Sequence, residues 1–327
     1  MRRALASVLG LLSVVSVVHC SSASRGFDDP AVDPGSAQDA APPPTGFGDS
    51  GGGGDADPTA CTEDIDVVLV LDVSSSMGFV LDKLDTEITK VVSASNALKA
   101  GAHFGLVVFV DNVKLYATGD QGGGKIHTAA GTLSAAFKDA KATYTTPNRN
   151  PGDGPTGATT QNPICEENAL DALHDAATEF PWRPNTARIV IVVTDDTFLE
   201  KPDNYGDRDG DGLTNKTDFP REGNYPGRFT VDETVAALKK ETIRVFSFTR
   251  LTPPGLLDPT ACGTGRRHPT GDSITFGWTK PFNGKAPIPT STGGKNFDLD
   301  AVRSGTASLA DTINDVVLQS HCAGPPK

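Results

Sequence analysis

Asp66-Val67-Val68-Leu69-Val70-Leu71-Asp72-Val73-Ser74-Ser75-Ser76-Met77 is an apolar run that ends abruptly in D-x-S-x-S. A short apolar run bounded by a polar turn reads as a strand buried on both faces. Just past its end, one carboxylate and two hydroxyls stand at alternate positions, so Asp72, Ser74 and Ser76 can turn toward one point. These are hard oxygen donors, the type that Mg2+, Mn2+ or Ca2+ prefers. The competing reading is a Ser-rich strand-to-helix loop in which Asp72 caps the helix.

Downstream of this run, Leu81, Leu84, Ile88, Val91, Ser95 and Leu98 recur at steps of three or four, the signature of a helix with one buried face. Residues 103–110 (HFGLVVFV) read as a second buried strand. A third, at 113–118, follows through the turn pair Asp111-Asn112. Helices are expected at 132–142, 166–180 and 230–240, and a last one through Leu309, Ile313, Val316 and Val317. Further strands are expected at 188–193, 242–249 and 295–299, and polar, Pro- and Gly-rich insertions at 197–229 and 250–291.

Strands alternating with helices predict an α/β fold, a mostly parallel sheet with helices on both faces and two loop insertions. Open sheets of this kind bind ligands beyond the carboxyl ends of their strands. Asp72 ends one strand, and Asp195, in Val193-Thr194-Asp195-Asp196, ends another.

The chain has 327 residues, 41 acidic against 29 basic, for a net charge of -12. Nucleic acid is excluded as an expected partner, because phosphate binding needs a cationic face. Neither C-x-x-C nor H-E-x-x-H occurs, which argues against a zinc knuckle or zinc hydrolase.

Residues 1–20 carry Arg2-Arg3 and then an apolar stretch, the pattern of an export signal. Val17-Val18-His19-Cys20 resembles a bacterial lipobox, with His19 where a small residue usually stands. Lipidated at Cys20, the protein is expected on the bacterial outer membrane or elsewhere in the cell envelope, touching membrane only through that anchor. Cleaved near Ser22-Ala23, it is secreted. Both routes lead outside the cytoplasm, where disulfides persist. Residues 21–60 read as a disordered Pro-, Gly- and Asp-rich linker, 61–322 as the folded domain and 323–327 as a tail. Lipidation of Cys20 leaves four cysteines; a domain's termini often lie close together, which predicts Cys61–Cys322, and Cys165–Cys262 then follows by elimination.

The stretch from about residue 65 to 322 resembles a von Willebrand factor A (vWA) domain. Four stretches carry the resemblance: 72–77 with the amphipathic helix after it, 103–109 (HFGLVVF), 191–195 (IVVTD) and 292–297 (TGGKNF). It implies a Rossmann-like sheet with a metal-ion-dependent adhesion site (MIDAS), where Mg2+ or Mn2+ keeps one position open for an acidic group of a protein ligand. On this chain it implies Asp72, Ser74, Ser76 and Asp195 as ligands. For the middle ligand it implies either Glu167, in E-N-A-L-D-A-L as in integrin beta subunits, or Thr160 or Thr159 as in other members. The adjacent second ion site of integrin beta domains is not expected, because Phe79 and Val80 stand at its acidic positions.

The first insertion holds a second ion motif. Numbered from Asp207, it has Asp207, Asp209 and Asp211 at loop positions 1, 3 and 5 and Gly212 at 6. Leu213 offers its carbonyl, and Asn215 and Asp218 stand at 9 and 12. This is calcium-loop spacing, and it resembles EF-hand and dockerin loops with Asp in place of the final Glu. Together these features predict a non-enzymatic adhesion or protein-binding module of the cell envelope. The runner-up is an architectural envelope lipoprotein whose metal ions are purely structural. Gly122-Gly123-Gly124-Lys125 lacks the spacing of a phosphate loop, and Trp182 reads as packing of a helix-to-strand connection.

Overall fold

The computed structural model describes residues 63–110, 112–145, 166–202, 227–251, 274–321 and 323. Several predicted features lie outside these residues. They are the export signal with Cys20, the linker, Cys61, Cys165, Cys262 and Cys322, Thr159 and Thr160, and the calcium loop at 207–218. Among the described residues no helix is long and apolar enough to cross a membrane.

Six strands form one sheet in the order β3-β2-β1-β4-β5-β6. They are β1 (Asp64–Asp72), β2 (His103–Phe109), β3 (Val113–Leu115), β4 (Thr186–Val193), β5 (Arg244–Thr249) and β6 (Asn296–Asp298). All pairings are parallel except the β2/β3 hairpin. The architecture is the α/β, Rossmann-like one expected, with the order reversing between β1 and β4.

β1 is central, and its side chains alternate between two cores. Val67, Leu69 and Leu71 face α1 (Gly78–Leu98), α2 (Ala130–Ala140), α6 (Leu299–Ser304) and α7 (Leu309–His321). Val68 and Val70 face α3 (Ala169–Glu179), α4 (Val231–Lys240) and the short α5 (Ile288–Ser291). All five are at most 1% exposed, which explains an apolar run without alternation. Each such side chain contributes roughly 1.5–3 kcal/mol by leaving water.

Local chemistry sets the element ends. α4 opens with a capping box, Thr230 accepting from the Glu233 amide while the Glu233 carboxylate accepts from the Thr230 amide. Before β6, Gly293 has φ 75° and a Cβ on Gly294 would lie 1.9 Å from the Val245 carbonyl oxygen. Only glycine lets that turn bring β6 against β5. Gly122-Gly123-Gly124 is a tight turn, and Lys125 donates to the Glu179 carbonyl at 2.9 Å, so this lysine ties the turn to the last residue of α3. Trp182 packs edge-on against Phe180 and donates to the Ala176 carbonyl, a structural role as expected.

Three boundaries differ from expectation. β3 is only three residues long. α3 begins at Ala169 and not at 166, so Glu167 precedes the helix. Its backbone is engaged elsewhere: the Glu167 amide donates to the Thr197 carbonyl and its own carbonyl accepts from Leu199. The insertions are also narrower than their composition suggests. Phe198, Leu199, Trp278, Phe282 and Ile288 are all at most 3% exposed, so 197–202 and 274–291 belong to the folded body. The Lys201 amide bonds the Phe229 carbonyl, and Arg228 is clamped on the buried Asp171.

Candidate metal centre at the β1 and β4 strand ends

The register pairs Leu71 with Val193, so the two chains leave the sheet side by side where the strand order reverses. Asp72 is the last residue of β1 and lies 1% exposed opposite Phe109 of β2. The Val73 amide still bonds the Phe109 carbonyl, which fixes the strand one residue further. The chain then turns through a single 3-10 turn, Ser75–Met77, directly into α1. The N-cap of α1 is Met77, with no side-chain cap, so Asp72 is not consumed as a helix cap.

The Asp72 carboxylate instead accepts from neutral donors. The Ser74 amide donates to Oδ1 at 2.8 Å, and the Thr194 hydroxyl donates to Oδ2 at 2.9 Å. The Ser74 and Ser76 hydroxyls are 3.0 Å apart, and Ser76 Oγ donates to Asp195 Oδ1 at 3.1 Å. Four predicted ligands, Asp72, Ser74, Ser76 and Asp195, are therefore joined in one chain of hydrogen bonds across the two strand ends.

Of the two adjacent aspartates after β4, the fold separates the roles. The Asp196 carbonyl accepts from the buried Trp278 indole at 3.0 Å, and its Oδ1 accepts from the Thr197 amide. Asp196 is thus turned into the loop and Asp195 into the site.

The electrostatics are strained. Burial, and then the nearby Asp195 carboxylate, push Asp72 up to about 7. Burial also raises Asp195, opposed by the Ser76 hydroxyl and by Arg303 and Arg250. Two like charges in a low-dielectric setting resist ionising together.

Glu167 is 3% exposed and sits beside the segment that follows Asp195, its backbone bridged to Phe198. No three His, Cys, Asp or Glu side chains among the described residues form a group that could hold a metal ion. The cluster at the two strand ends is two carboxylates and two hydroxyls, an all-oxygen set suited to a hard divalent cation.

The surroundings contain residues the sequence reading passed over. Thr194 orients Asp72. Arg303, from α6, lies 3.4 Å from Asp195 Oδ2 and stacks over the Phe79 ring. Arg250, just past β5, pairs with Asp300. Thr194 adjoins a predicted ligand and was legible as a neighbour. Arg303 is 108 residues from Asp195, and no spacing signals that pair.

No family model matches the chain, and no curated protein matches it. Among solved structures, the chain is similar to an aerotolerance-related membrane protein from Bacteroides fragilis NCTC 9343. The identity is 16%, over 79% of this chain and 98% of that one, with a TM-score of 0.37. It is similar to the conserved hypothetical protein BatB from Bacteroides thetaiotaomicron at 15% identity, over 77% of this chain and 99% of that one, TM-score 0.37. A von Willebrand factor type A protein from Catenulispora acidiphila gives 13% identity, over 79% of this chain and 43% of that one, TM-score 0.41. These are distant likenesses of fold; the chemistry of the site rests on its own residues.

Proposed function

We propose that Asp72, Ser74, Ser76 and Asp195 hold a divalent cation, Mg2+ or Mn2+, and that the site binds an acidic group of a protein ligand. The observation that carries this reading is the Asp72 carboxylate, buried with only neutral hydrogen-bond partners and set against a second carboxylate. A cation supplies the positive charge that Asp72 lacks among its described partners and leaves a coordination position for an exogenous oxygen. Glu167, or Thr159 or Thr160, adds a further oxygen. In this reading the hydroxyls and carboxylates of these loops serve as ion ligands, and the role is binding, not catalysis. The N-terminal segment supports placement in the bacterial envelope as a lipoprotein, or secretion. The loop at 207–218 takes Ca2+ and orders its own insertion.

Thermal melts of the full chain with Mn2+, with Mg2+ and with chelator test the reading. A cation at about a hundred times its dissociation constant stabilises the fold by about 2.7 kcal/mol. That shift is expected in wild type and lost in Asp72→Ala, while Asp207→Ala keeps it and loses only the Ca2+ response. A wild-type melt indifferent to Mn2+ and Mg2+ would remove the metal reading. A Mn2+ response unchanged in Asp72→Ala would move the metal to another place.

A further inference from the structure

Arg303 stands at the rim of this centre in a state that a structural salt bridge does not explain. Its backbone is fixed. α6 is capped at its start by Asp298, whose carboxylate accepts from the Asp300 amide, and closed by Gly305 in the left-handed conformation. Leu299 and Val302 of the same helix are fully buried. The side chain is held by stacking: its guanidinium carbon lies 4.5 Å from the centroid of Phe79, the second residue of α1. Stacking on an aromatic face holds the guanidinium plane while leaving its edge available.

The ion pairing is poor by contrast. Arg303 meets Asp195 at 3.4 Å and Asp300 at 4.0 Å, both longer than the 2.7–2.9 Å of a good charge-assisted bond. Asp300 is shared with Arg250, also at 3.4 Å. The side chain remains 39% exposed. A guanidinium carries five donors, and the contacts to Asp195 and Asp300 use them weakly. A cation bound between Asp72 and Asp195 would take up charge on the one carboxylate that Arg303 touches within the site.

We infer that Arg303 is a second anchor for the ligand beside the ion. The ligand class it selects is a pair of neighbouring carboxylates, one for the cation and one for the guanidinium fork. This rests on the cation reading of Asp72 and Asp195 and narrows what that centre binds. A single acidic group satisfies the ion alone; a second one within a few ångströms satisfies the stacked arginine. Arg303 also opposes the incoming ion as a like charge, so it trades cation affinity for ligand selectivity.

The test uses the full chain and small probes. Mn2+ binding is read by water-proton relaxation, and glutarate and butyrate are then titrated against the loaded protein. Wild type is expected to prefer glutarate by about three- to ten-fold, beyond the statistical advantage of its second carboxylate. Arg303→Gln is expected to erase that preference, leave butyrate within about two-fold, and bind Mn2+ more tightly. Arg303→Lys keeps the charge without the fork and is expected to hold wild-type Mn2+ affinity with a reduced preference. Melts in chelator check that both variants fold. A wild type without preference, or an equal preference in Arg303→Gln, overturns the inference while the Mn2+ signal stands. Absence of a Mn2+ signal before any carboxylate is added overturns the cation reading, and this inference with it.

Discussion

β1 carries a buried aspartate near each end, and the two are treated in opposite ways. Asp66 is fully buried and Asp72 is 1% exposed. Arg183 surrounds Asp66: its Nε and Nη2 donate to Oδ1 at 2.8 and 2.6 Å, and its own amide donates to Oδ2 at 2.9 Å. The same guanidinium reaches the Ile65 and Gly101 carbonyls. At the other end, Asp72 meets an amide, a hydroxyl and a second carboxylate. Burial of a charged group is therefore no mark of a site by itself. Asp66 has a cation supplied by its own chain and serves the fold. Asp72 has none among its described partners, and the strand end facing the loops is where a cation from outside would complete it.

The largest effect should come from breaking the satisfied end. Arg183→Met leaves a buried carboxylate with its cation removed, which costs about 3–5 kcal/mol. Chemical denaturation should show this as a fall in midpoint with little change in slope. Adding Asp66→Asn should recover much of the loss, because the charge that needed Arg183 is gone. A loss below about 1 kcal/mol in Arg183→Met would mean that water reaches Asp66, and the contrast between the two ends would fail.

The unsatisfied end should respond with the opposite sign. Asp72→Asn removes one of two like charges while keeping the shape and a hydrogen-bonding oxygen. In chelator at pH 8 the variant is expected to be more stable than wild type, by about 1–3 kcal/mol. With saturating Mn2+ the order should reverse, because wild type alone gains the cation. A variant less stable than wild type in chelator would show that Asp72 is already compensated, and would place it beside Asp66 as a structural group.

The contrast between the ends was only half legible in the residues. The strands, the helix behind the D-x-S-x-S loop and the two strand-end aspartates follow from apolar runs and their abrupt ends, which are local signals. Composition widens the insertions because the apolar groups Phe198-Leu199, Ile274-Thr275-Phe276-Gly277-Trp278 and Phe282 are short and set among prolines, glycines and polar residues. They become core only by meeting one another, Phe198 edge-on to Trp278 at 5.4 Å and tilted against Phe282 at 5.0 Å. The helical pattern at 166–180 places Glu167 in the first turn of a helix, because its sequence continues the periodicity. The bridge to Phe198 competes for its backbone and wins. The partners that distinguish Asp66 from Asp72 are remote in sequence, Arg183 lying 117 residues from Asp66, and no pairwise spacing announces them.

The smallest effect separates the ends by pH. His103 lies 3.8 Å from Asp66 and shares its pocket with Arg183. Burial, then the Arg183 charge, lower its pKa below the usual 6.5, outweighing the opposing pull of Asp66 and Asp64. The folded state therefore holds His103 neutral over a range where the unfolded chain takes up a proton. Its contribution is intact above about pH 6.5 and is lost as pH falls through the lowered folded value, at no more than about 1.4 kcal/mol per pH unit for one proton. His103→Gln should flatten the fall in stability between pH 7 and 5 without abolishing it, since His127 and His174 are lowered by burial in the same way. In the Arg183→Met background the His103 component should shrink, because one of the two causes of its shift has gone. If His103→Gln instead steepens the acid limb, protonated His103 is stabilising Asp66, and the satisfied end would depend on two cations in place of one.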